Sequence, residues 1–315
     1  MFLVKDMPMY SQEDIRRLQH CIHKVLLREP RIHYDEGAKQ CNVDRKTFSK
    51  YWRLGLQNKI LYPPQIRTNA YESRKEYIYL IQSDKAHKLY KYYQRPSDVI
   101  YMAYTMGKFD LVLQTSTPLE VLPDATLLHG SRINYIYPET PYYTFETALN
   151  KMEALLSHSH QKSTIDVIYP KEPEIEGSEY GWMVFPYLKY NLRTNYTFIV
   201  KELGISFGSF YKGFEYLLEV CTVLLPFYPF GFPHYSQYFF TVWSDYEYLV
   251  RDFFGLLPCH TSITKIDDAL LIYASVRRGA ELKERIFDLT YEMLELGFVD
   301  RLWTSIPLYY WSPDP

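Results

Sequence analysis

The sequence predicts an α+β protein, a tandem duplication of a winged helix-turn-helix followed by a ferredoxin-like βαββαβ domain. Residues 31–61 and 193–223 match each other at an offset of 162 positions, and both fit a helix, a tight turn and a second helix. The segment YLIQSD, which begins at Tyr79, resembles FTVWSD, which begins at Phe240, at the nearly equal offset of 161. The strand and helix patterns after Phe240 complete a βαββαβ order.

The composition is that of a globular protein with a sizeable core, because 47% of the 315 residues are hydrophobic and 23% are charged. The 32 tyrosines are an excess, and tyrosine suits half-buried sheet faces, subunit interfaces and stacking platforms equally. The net charge of −2 provides no global basic field for nucleic acid. Residues 1–60 nevertheless carry twelve basic and seven acidic side chains, whereas the charges of residues 177–230 balance.

The first three elements are predicted to be helices. Ser11 and Asp14 form a capping-box pattern ahead of apolar residues at helical spacing, and Pro30 ends this first helix. A short second helix covers about residues 34–40. Asn42 then supplies the left-handed conformation that a tight turn requires.

The third helix is predicted over about residues 45–58. Asp44 caps it, and Phe48 and Trp52 are spaced so that both face the core. A short wing strand is expected just before the Pro63–Pro64 pair, because proline cannot donate to a strand ladder.

The remainder of the first half is predicted to be one helix among four strands, and no second sheet-covering helix is expected near residues 119–124. The predicted strands are 77–81, 99–104, 110–115 and 132–137, and the predicted helix is 83–93.

The second half repeats this plan after a connector, and its sheet is expected to pack face to face against the first. The predicted helices are 145–156, 180–190 with an interruption at Pro186, 194–203, 206–219, 246–254 and 281–296, and the predicted strands are 239–243, 261–265, 269–275 and 302–306. These patterns divide the chain into a first winged helix-turn-helix (1–66), a first ferredoxin-like domain (67–140), a connector (141–177), a second winged helix-turn-helix (178–233) and a second ferredoxin-like domain (234–315).

The first helix-turn-helix and one later turn resemble the leucine-responsive and asparagine-responsive (feast/famine) regulators. RIHYDEGA, which begins at Arg31, is similar to the family's RIxxxELA opening, and Asn42 stands at the place of its turn glycine. MGKFDLVLQT, which begins at Met106, matches the family's Gly–x–x–Asp turn with Gly107 and Asp110. The resemblance implies a DNA-binding transcriptional regulator, and it implies that the ferredoxin-like domains serve effector binding and oligomerisation.

By this resemblance the expected partners are double-stranded DNA and a small amino-acid-like effector held near Gly107 and Asp110. A homodimer can form on top of the intrachain pseudo-dimer. No cofactor, metal or enzymatic activity is implied. The protein is expected in the cytoplasm and away from membranes, because its start, MFLVKDMP, is too short and too soon charged for a secretory signal.

The sequence departs from the family pattern at several positions. Tyr51, Gly55 and Lys59 stand where the recognition helix and its end normally carry arginine, leucine and glycine. In the second half Lys265 replaces the turn glycine, although Asp268 persists. One altered or lost effector site is therefore expected rather than two equal ones.

The predicted DNA-reading face is the outward side of the third helix, opposite Phe48 and Trp52. Such a helix enters the major groove, where arginine reads guanine and lysine neutralises phosphate. The alternative to DNA contact is that this side of the helix is an ordinary solvated face. For Gly107 and Asp110, the alternative to effector binding is a plain hairpin turn. The residues predicted to contact DNA are Arg45, Lys46, Ser49, Lys50 and Arg53.

The four cysteines predict neither a disulfide nor a zinc site, because Cys21, Cys41, Cys221 and Cys259 have no CxxC spacing. Cys21 and Cys41 fall on predicted helices, where a buried free thiol is expected.

Two alternatives come from other functional classes. YYQRPSDVIYMAYTM, which begins at Tyr92, is loosely similar to a Tyr-x-Arg-Pro segment of sirohaem decarboxylases, tetrapyrrole enzymes that share the regulator fold, although no histidine lies near Arg95. The other alternative is an interaction module with vestigial helix-turn-helices. The tyrosine excess and the neutral second helix-turn-helix favour it, whereas the basic first one opposes it.

Overall fold

Two three-helix units and a large antiparallel sheet make up the computed structural model, which describes residues 10–123 and 125–313. The N-terminal stretch that bears on a secretory signal lies outside the described residues. The helices are α1 (Gln12–Arg28), α2 (Tyr34–Gln40), α3 (Arg45–Gln57), α4 (Ala86–Tyr92), α5 (Phe145–Leu156), α6 (Ser178–Leu188), α7 (Tyr196–Leu203), α8 (Phe207–Val220), α9 (Glu247–Gly255) and α10 (Ala280–Glu295). The strands are β1 (Gln65–Thr68), β2 (Tyr77–Ile81), β3 (Val99–Gly107), β4 (Leu111–Thr115), β5 (Thr126–Ser131), β6 (Cys221–Leu224), β7 (Tyr235–Trp243), β8 (Thr261–Ile266), β9 (Ala269–Arg277) and β10 (Arg301–Trp311).

The first three-helix unit has the caps and the turn that its sequence predicts. The capping box forms at the start of α1, where the Asp14 N–H donates to Ser11 Oγ at 3.1 Å. The turn between α2 and α3 places Asn42 at a φ of 52°, in the left-handed region. The Thr47 N–H then donates to Asp44 Oδ1 at 3.0 Å, which caps α3.

The three departures from the regulator pattern in this unit have physical reasons. Tyr51 faces the core and is buried with Phe48. At Gly55 a Cβ would lie 2.7 Å from Leu61 Cδ1, so that any larger residue would displace Leu61. Lys59 has a φ of 53° at the place where the family carries glycine, and it therefore adopts the conformation that glycine usually supplies.

The second three-helix unit, α6 to α8, has the same turn geometry. Gly204 has a φ of 63° at the position that corresponds to Asn42. The Ser209 N–H donates to Ser206 Oγ at 3.0 Å and caps α8. Helix α6 continues through Pro186, so the predicted interruption is wrong.

Two arginines join the three-helix units by reciprocal hydrogen bonds. The Arg31 guanidinium donates to the Thr194 carbonyl oxygen at 3.1 Å. Arg193, which lies 162 positions after Arg31, donates to the carbonyl oxygens of Pro30 at 2.9 Å and Ile32 at 3.2 Å. The contact between Arg193 and Ile32 repeats the contact between Arg31 and Thr194 at the same offset, so that the two units face each other about an approximate twofold axis.

A two-stranded sheet also links the units, because β1 pairs antiparallel with β6. The wing strand predicted before Pro63 begins instead at Gln65, after Pro64. The prolines have no N–H to donate, and the earlier residue Leu61 makes an isolated bridge to Phe227.

The large sheet has eight antiparallel strands in the order β5-β2-β4-β3-β10-β7-β9-β8. Strand β3 from the first half pairs with β10 from the second, so the halves share one sheet where two facing sheets were predicted. The chain after β5 approaches β8 through isolated bridges from Arg132 to Ile266 and from Ile136 to Ile263. The sheet thus curls towards closure, and its inner face buries residues from both halves together.

Helices cover the outer face of this sheet. Helix α4 packs on the first half. The predicted connector helix α5 packs with α9 and α10 on the second half, where Phe145, Leu149 and Met152 are buried. Between β4 and β5 the described residues form no helix. The strand predicted over residues 132–137 is wrong, because the strand here is β5, which ends at Ser131, and Arg132 and Ile136 make only isolated bridges.

Cys21 and Cys41 form a disulfide, so the prediction that both are free thiols is wrong. Cys21 lies on α1 and Cys41 directly follows α2, 20 residues later, and the crossing of α1 with the end of α2 brings their Cα atoms to 5.7 Å. That distance suits a disulfide, but no spacing motif signals the crossing. Cys221 and Cys259 are free and buried. No helix among residues 10–123 and 125–313 is long and apolar enough to cross a membrane.

The Lys265–Glu247 ion pair fastens α9 to the sheet. Lys265 Nζ lies 2.9 Å from Glu247 Oε2, and the two side chains are 10% and 2% exposed. The same carboxylate oxygen accepts a hydrogen bond from the Ile165 N–H at 2.6 Å. Removing one member of such a pair leaves a buried charge without compensation.

We therefore expect Glu247→Gln to lower the free energy of unfolding by about 3–5 kcal/mol, measured by urea denaturation followed by circular dichroism. The double variant Glu247→Leu/Lys265→Met should recover most of this decrease, because it removes both charges. Asp245→Asn is the matched control, since it breaks the exposed Lys162–Asp245 pair and should change stability little. An unchanged urea midpoint in Glu247→Gln would show that this pair does not hold α9.

Candidate functional site

The predicted DNA-contacting residues lie on the outer face of α3. Phe48 and Trp52 are buried, as predicted. Four of the five residues predicted to contact DNA are exposed, namely Arg45, Lys46, Lys50 and Arg53, and Ser49 is half-buried. The structure therefore gathers these side chains on one helix face, and their role in DNA contact stays a prediction.

The local contacts of this face leave most of its positive charge free. Arg45 is 3.5 Å from an Asp35 carboxylate oxygen. Arg53 Nε donates to the Ser49 carbonyl oxygen at 3.3 Å. Among the described residues, Lys46 makes no ion pair.

The corresponding face of α8 is aromatic. Phe207 and Tyr211 lie 162 positions after Arg45 and Ser49, and they are 49% and 47% exposed. Tyr196 of α7 contacts both rings, with centroid distances of 5.9 and 6.1 Å. The two units therefore present surfaces of different chemistry, one cationic and one aromatic.

Gly107 and Asp110 lie in a turn that packs on the second half of the chain. Gly107 has a φ of 145°, and a Cβ there would lie 2.5 Å from the Thr304 carbonyl oxygen. Asp110 Oδ2 accepts a hydrogen bond from the Ser83 N–H at 2.9 Å. These contacts give both residues a structural role, and a role in binding an effector stays a prediction.

The equivalent turn of the second half is built differently. Lys265 lies inside β8 rather than in the turn, and Asp267 has the left-handed φ of 54°. Asp268 accepts a hydrogen bond from Trp243 Nε1 at 2.8 Å. The two turns thus share an aspartate that accepts a hydrogen bond from a neighbouring element.

Six side chains that sequence analysis did not connect come together at the inner face of the sheet. We infer that they line a recess, which we call the tyrosine recess: Tyr101, Tyr135, Tyr137, Tyr273, His260 and Arg67. All six are half-buried. Burial raises the pKa of each of the four phenols. The six side chains also keep accessible surface, which is the basis for inferring a concave space rather than a packed core.

The aromatic rings of the tyrosine recess are stacked. Tyr135 lies 5.9 Å from Tyr137, which lies 5.8 Å from His260, with interplanar angles of 28° and 23°. Tyr101 stacks at 6.5 Å on Tyr310, which is 66% exposed. A flat aromatic molecule has ring faces to pack against here.

Arg67 provides the positive charge of the tyrosine recess. Its Nη1 donates to the Ile66 carbonyl oxygen at 3.1 Å, and no carboxylate among the described residues pairs with it. Its charge opposes the burial that raises the phenol pKa values of Tyr101 and Tyr137. Burial, assisted by the charge of Arg67, lowers the pKa of His260 to about 4, so this imidazole is neutral at physiological pH.

Ser275 adds a buried hydroxyl on the inner face. Tyr273 belongs to the recess, and Ser275, two residues further along β9, points to the same side. Ser275 is fully buried, and its hydroxyl lies close to the Tyr228 phenol.

The signal for the tyrosine recess in the sequence was the tyrosine excess. Tyr135 and Tyr137 alternate along the extended chain after β5, and Tyr101 and Tyr273 lie on β3 and β9. Their convergence with Arg67 and His260 depends on the pairing of β3 with β10 and on the curl of the sheet, which no local pattern encodes.

No protein-family model matches the chain, and neither does any curated protein. Among solved structures, the siroheme decarboxylase NirDL is 10% identical, with a TM-score of 0.44, over 95% of this chain and 93% of that chain. NirDL in complex with an iron-uroporphyrin III analogue is 10% identical, with a TM-score of 0.40, over 93% of this chain and 92% of that chain. AsnC of E. coli is 17% identical, with a TM-score of 0.29, over 36% of this chain and 87% of that chain.

These comparisons correct the sequence-based expectation of a protein without enzymatic activity. The structures that match over most of the chain are those of an enzyme, so the comparisons do not support that expectation; at 10% identity the likeness is one of fold alone. The relationship to AsnC is weak and covers about a third of the chain.

Proposed function

We propose that the protein binds a flat aromatic carboxylic acid in the tyrosine recess. The observation that carries this proposal is the Arg67 guanidinium, which has no carboxylate partner among the described residues and stands beside a wall of stacked rings. A guanidinium pairs with a carboxylate through two parallel hydrogen bonds, and tyrosine rings supply apolar faces with polar edges.

A carboxylated tetrapyrrole belongs to this chemical class, and we propose it as the substrate under the enzyme interpretation. Its flat macrocycle would pack against the tyrosines, and one carboxylate would face Arg67. In a decarboxylation the C–C bond to the carboxylate breaks, CO₂ leaves, and the remaining electron pair takes up a proton. The phenols of the recess, which burial keeps protonated, hold a proton for that step.

The first test is calorimetric titration of uroporphyrin III into the parent and into Arg67→Gln. Removal of a charge-assisted pair should weaken binding about tenfold or more. Arg95→Gln is the matched control, because Arg95 is exposed and lies outside the recess, in the Tyr-x-Arg-Pro segment of the sequence. It should bind as the parent does. If the parent binds no uroporphyrin III, or if Arg95→Gln loses binding and Arg67→Gln keeps it, the recess is not the site.

DNA binding by the first three-helix unit is the second candidate function that we propose. It is supported by the exposed cations of α3 and by the net positive charge of residues 1–60. The corresponding face of α8 is aromatic and has no such cluster of cations. Under this proposal α3 enters the major groove, and the second unit contributes little affinity.

We expect Lys46→Ala/Lys50→Ala/Arg53→Ala to weaken binding to a random-sequence duplex and to reduce the slope of log K against log salt by roughly 0.9 for each phosphate that the variant no longer neutralises. Fluorescence anisotropy across a salt series measures both. Lys85→Ala/Lys88→Ala/Lys91→Ala removes three exposed charges at α4 and should leave the slope as in the parent. Equal effects of the two triple variants would point to non-specific charge, and a parent without affinity for DNA would favour an interaction module.

We also propose that the two halves derive from one duplicated winged-helix and ferredoxin-like unit, with the domain boundaries predicted from the sequence. The reciprocal contacts of Arg31 and Arg193 and the matching turns at Asn42 and Gly204 support this. The exposed aromatic patch on α8 would then mark the half that lost the DNA-reading role.

A further inference from the structure

A pocket of about 570 Å³ lies beside α1, away from the tyrosine recess. Its side chains come from α1, from the end of α2 and from the loop that carries Tyr142. The lining residues are Arg17, His20, Cys21, Lys24, Val25, Arg28, Gln40 and Tyr142.

The pocket is positively charged along one stripe of α1. Arg17, Lys24 and Arg28 are spaced so that they share a helix face with Cys21, which stands between them. Lys24 pairs with Glu139. Arg17 and Arg28 are exposed and form no ion pair within the part of the chain that the structure describes, so their charges are available to an anion.

The Cys21–Cys41 disulfide opens onto this pocket. Cys21 is itself a lining residue, and it is half-buried rather than sealed in the core. An accessible sulfur in a cationic setting favours thiol exchange, because an attacking thiolate and a leaving thiolate are both negative. The other two thiols lack these conditions, since Cys221 and Cys259 are buried and burial raises the pKa of each.

We propose that the Cys21–Cys41 disulfide is an exchange site for small anionic thiols, which the Arg17 and Arg28 guanidiniums bind in the pocket. This inference is independent of the function proposed for the tyrosine recess. It assigns a modification site and a class of reactant to the first three-helix unit.

The exchange reaction consists of two successive thiolate attacks. A thiolate attacks the Cys21 sulfur, the bond to Cys41 breaks, and Cys41 leaves as a thiolate that takes a proton from solvent. A second thiolate attacks the incoming sulfur of the mixed disulfide and releases Cys21. The protein disulfide is reduced to two thiols, and the two small thiols are oxidised to their own disulfide. The covalent link between α1 and α2 is broken in the first step.

The test compares two reagents on the oxidised full chain, 3-mercaptopropionate, which is anionic, and cysteamine, which is cationic. Both are used at equal thiolate concentration, and mass spectrometry follows the mixed disulfide. We expect the ratio of anionic to cationic rate to fall about fivefold or more in Arg17→Gln/Arg28→Gln, since a unit charge at close range in water is worth about that factor. Peptide mapping should place the first adduct on Cys21.

The control Lys85→Gln/Lys88→Gln removes the same charge from exposed positions at α4, outside the pocket, and should keep the parent ratio. An equal fall in both double variants would overturn the role of the pocket. So would an unchanged ratio in Arg17→Gln/Arg28→Gln, or a first adduct on Cys41. Rapid alkylation of Cys21 in the oxidised protein would overturn the disulfide itself.

Discussion

The pairing of β3 with β10 is the constraint on which the rest of the architecture depends. It joins four strands of the first half to four of the second, and it brings the Gly107 turn against β10. There Phe109 N–H donates to Ser305 Oγ at 3.0 Å, and Lys108 N–H donates to the Thr304 carbonyl oxygen at 3.0 Å. Without this seam each half would expose an unpaired strand edge, which other chains could pair with.

The same seam creates the tyrosine recess. Tyr101 comes from β3, and Tyr135 and Tyr137 come from the chain after β5, whereas Tyr273 and His260 belong to the second half. A ligand held there would contact both halves and would stabilise their association by mass action. Arg67 comes from β1, which links the three-helix units, so the recess also lies at the junction between the sheet and these units.

Helix caps and tight turns were predictable from the sequence, whereas contacts between distant segments of the chain were not. Capping residues such as Ser11 and Asp44, and the turns at Asn42 and Gly204, act within a few residues and were assigned correctly. The disulfide, the shared sheet and the packing of α5 on α10 depend on contacts between distant segments. Gly107 illustrates the difference: its sequence context suggested an effector turn, while the structure adds a close approach of the β10 backbone that requires a glycine.

The most direct test of this account is whether the two halves behave as one sheet, by hydrogen exchange in Gly107→Ala. A Cβ at this position would lie 2.5 Å from the Thr304 carbonyl oxygen and 2.7 Å from Ser305 Cα, so the β3–β10 seam must shift. We predict that peptides from β3 and β4 and peptides from β7 and β10 lose protection together and by similar amounts. Loss of protection confined to β3 and β4, with β7 and β10 exchanging as in the parent, would contradict the single shared sheet.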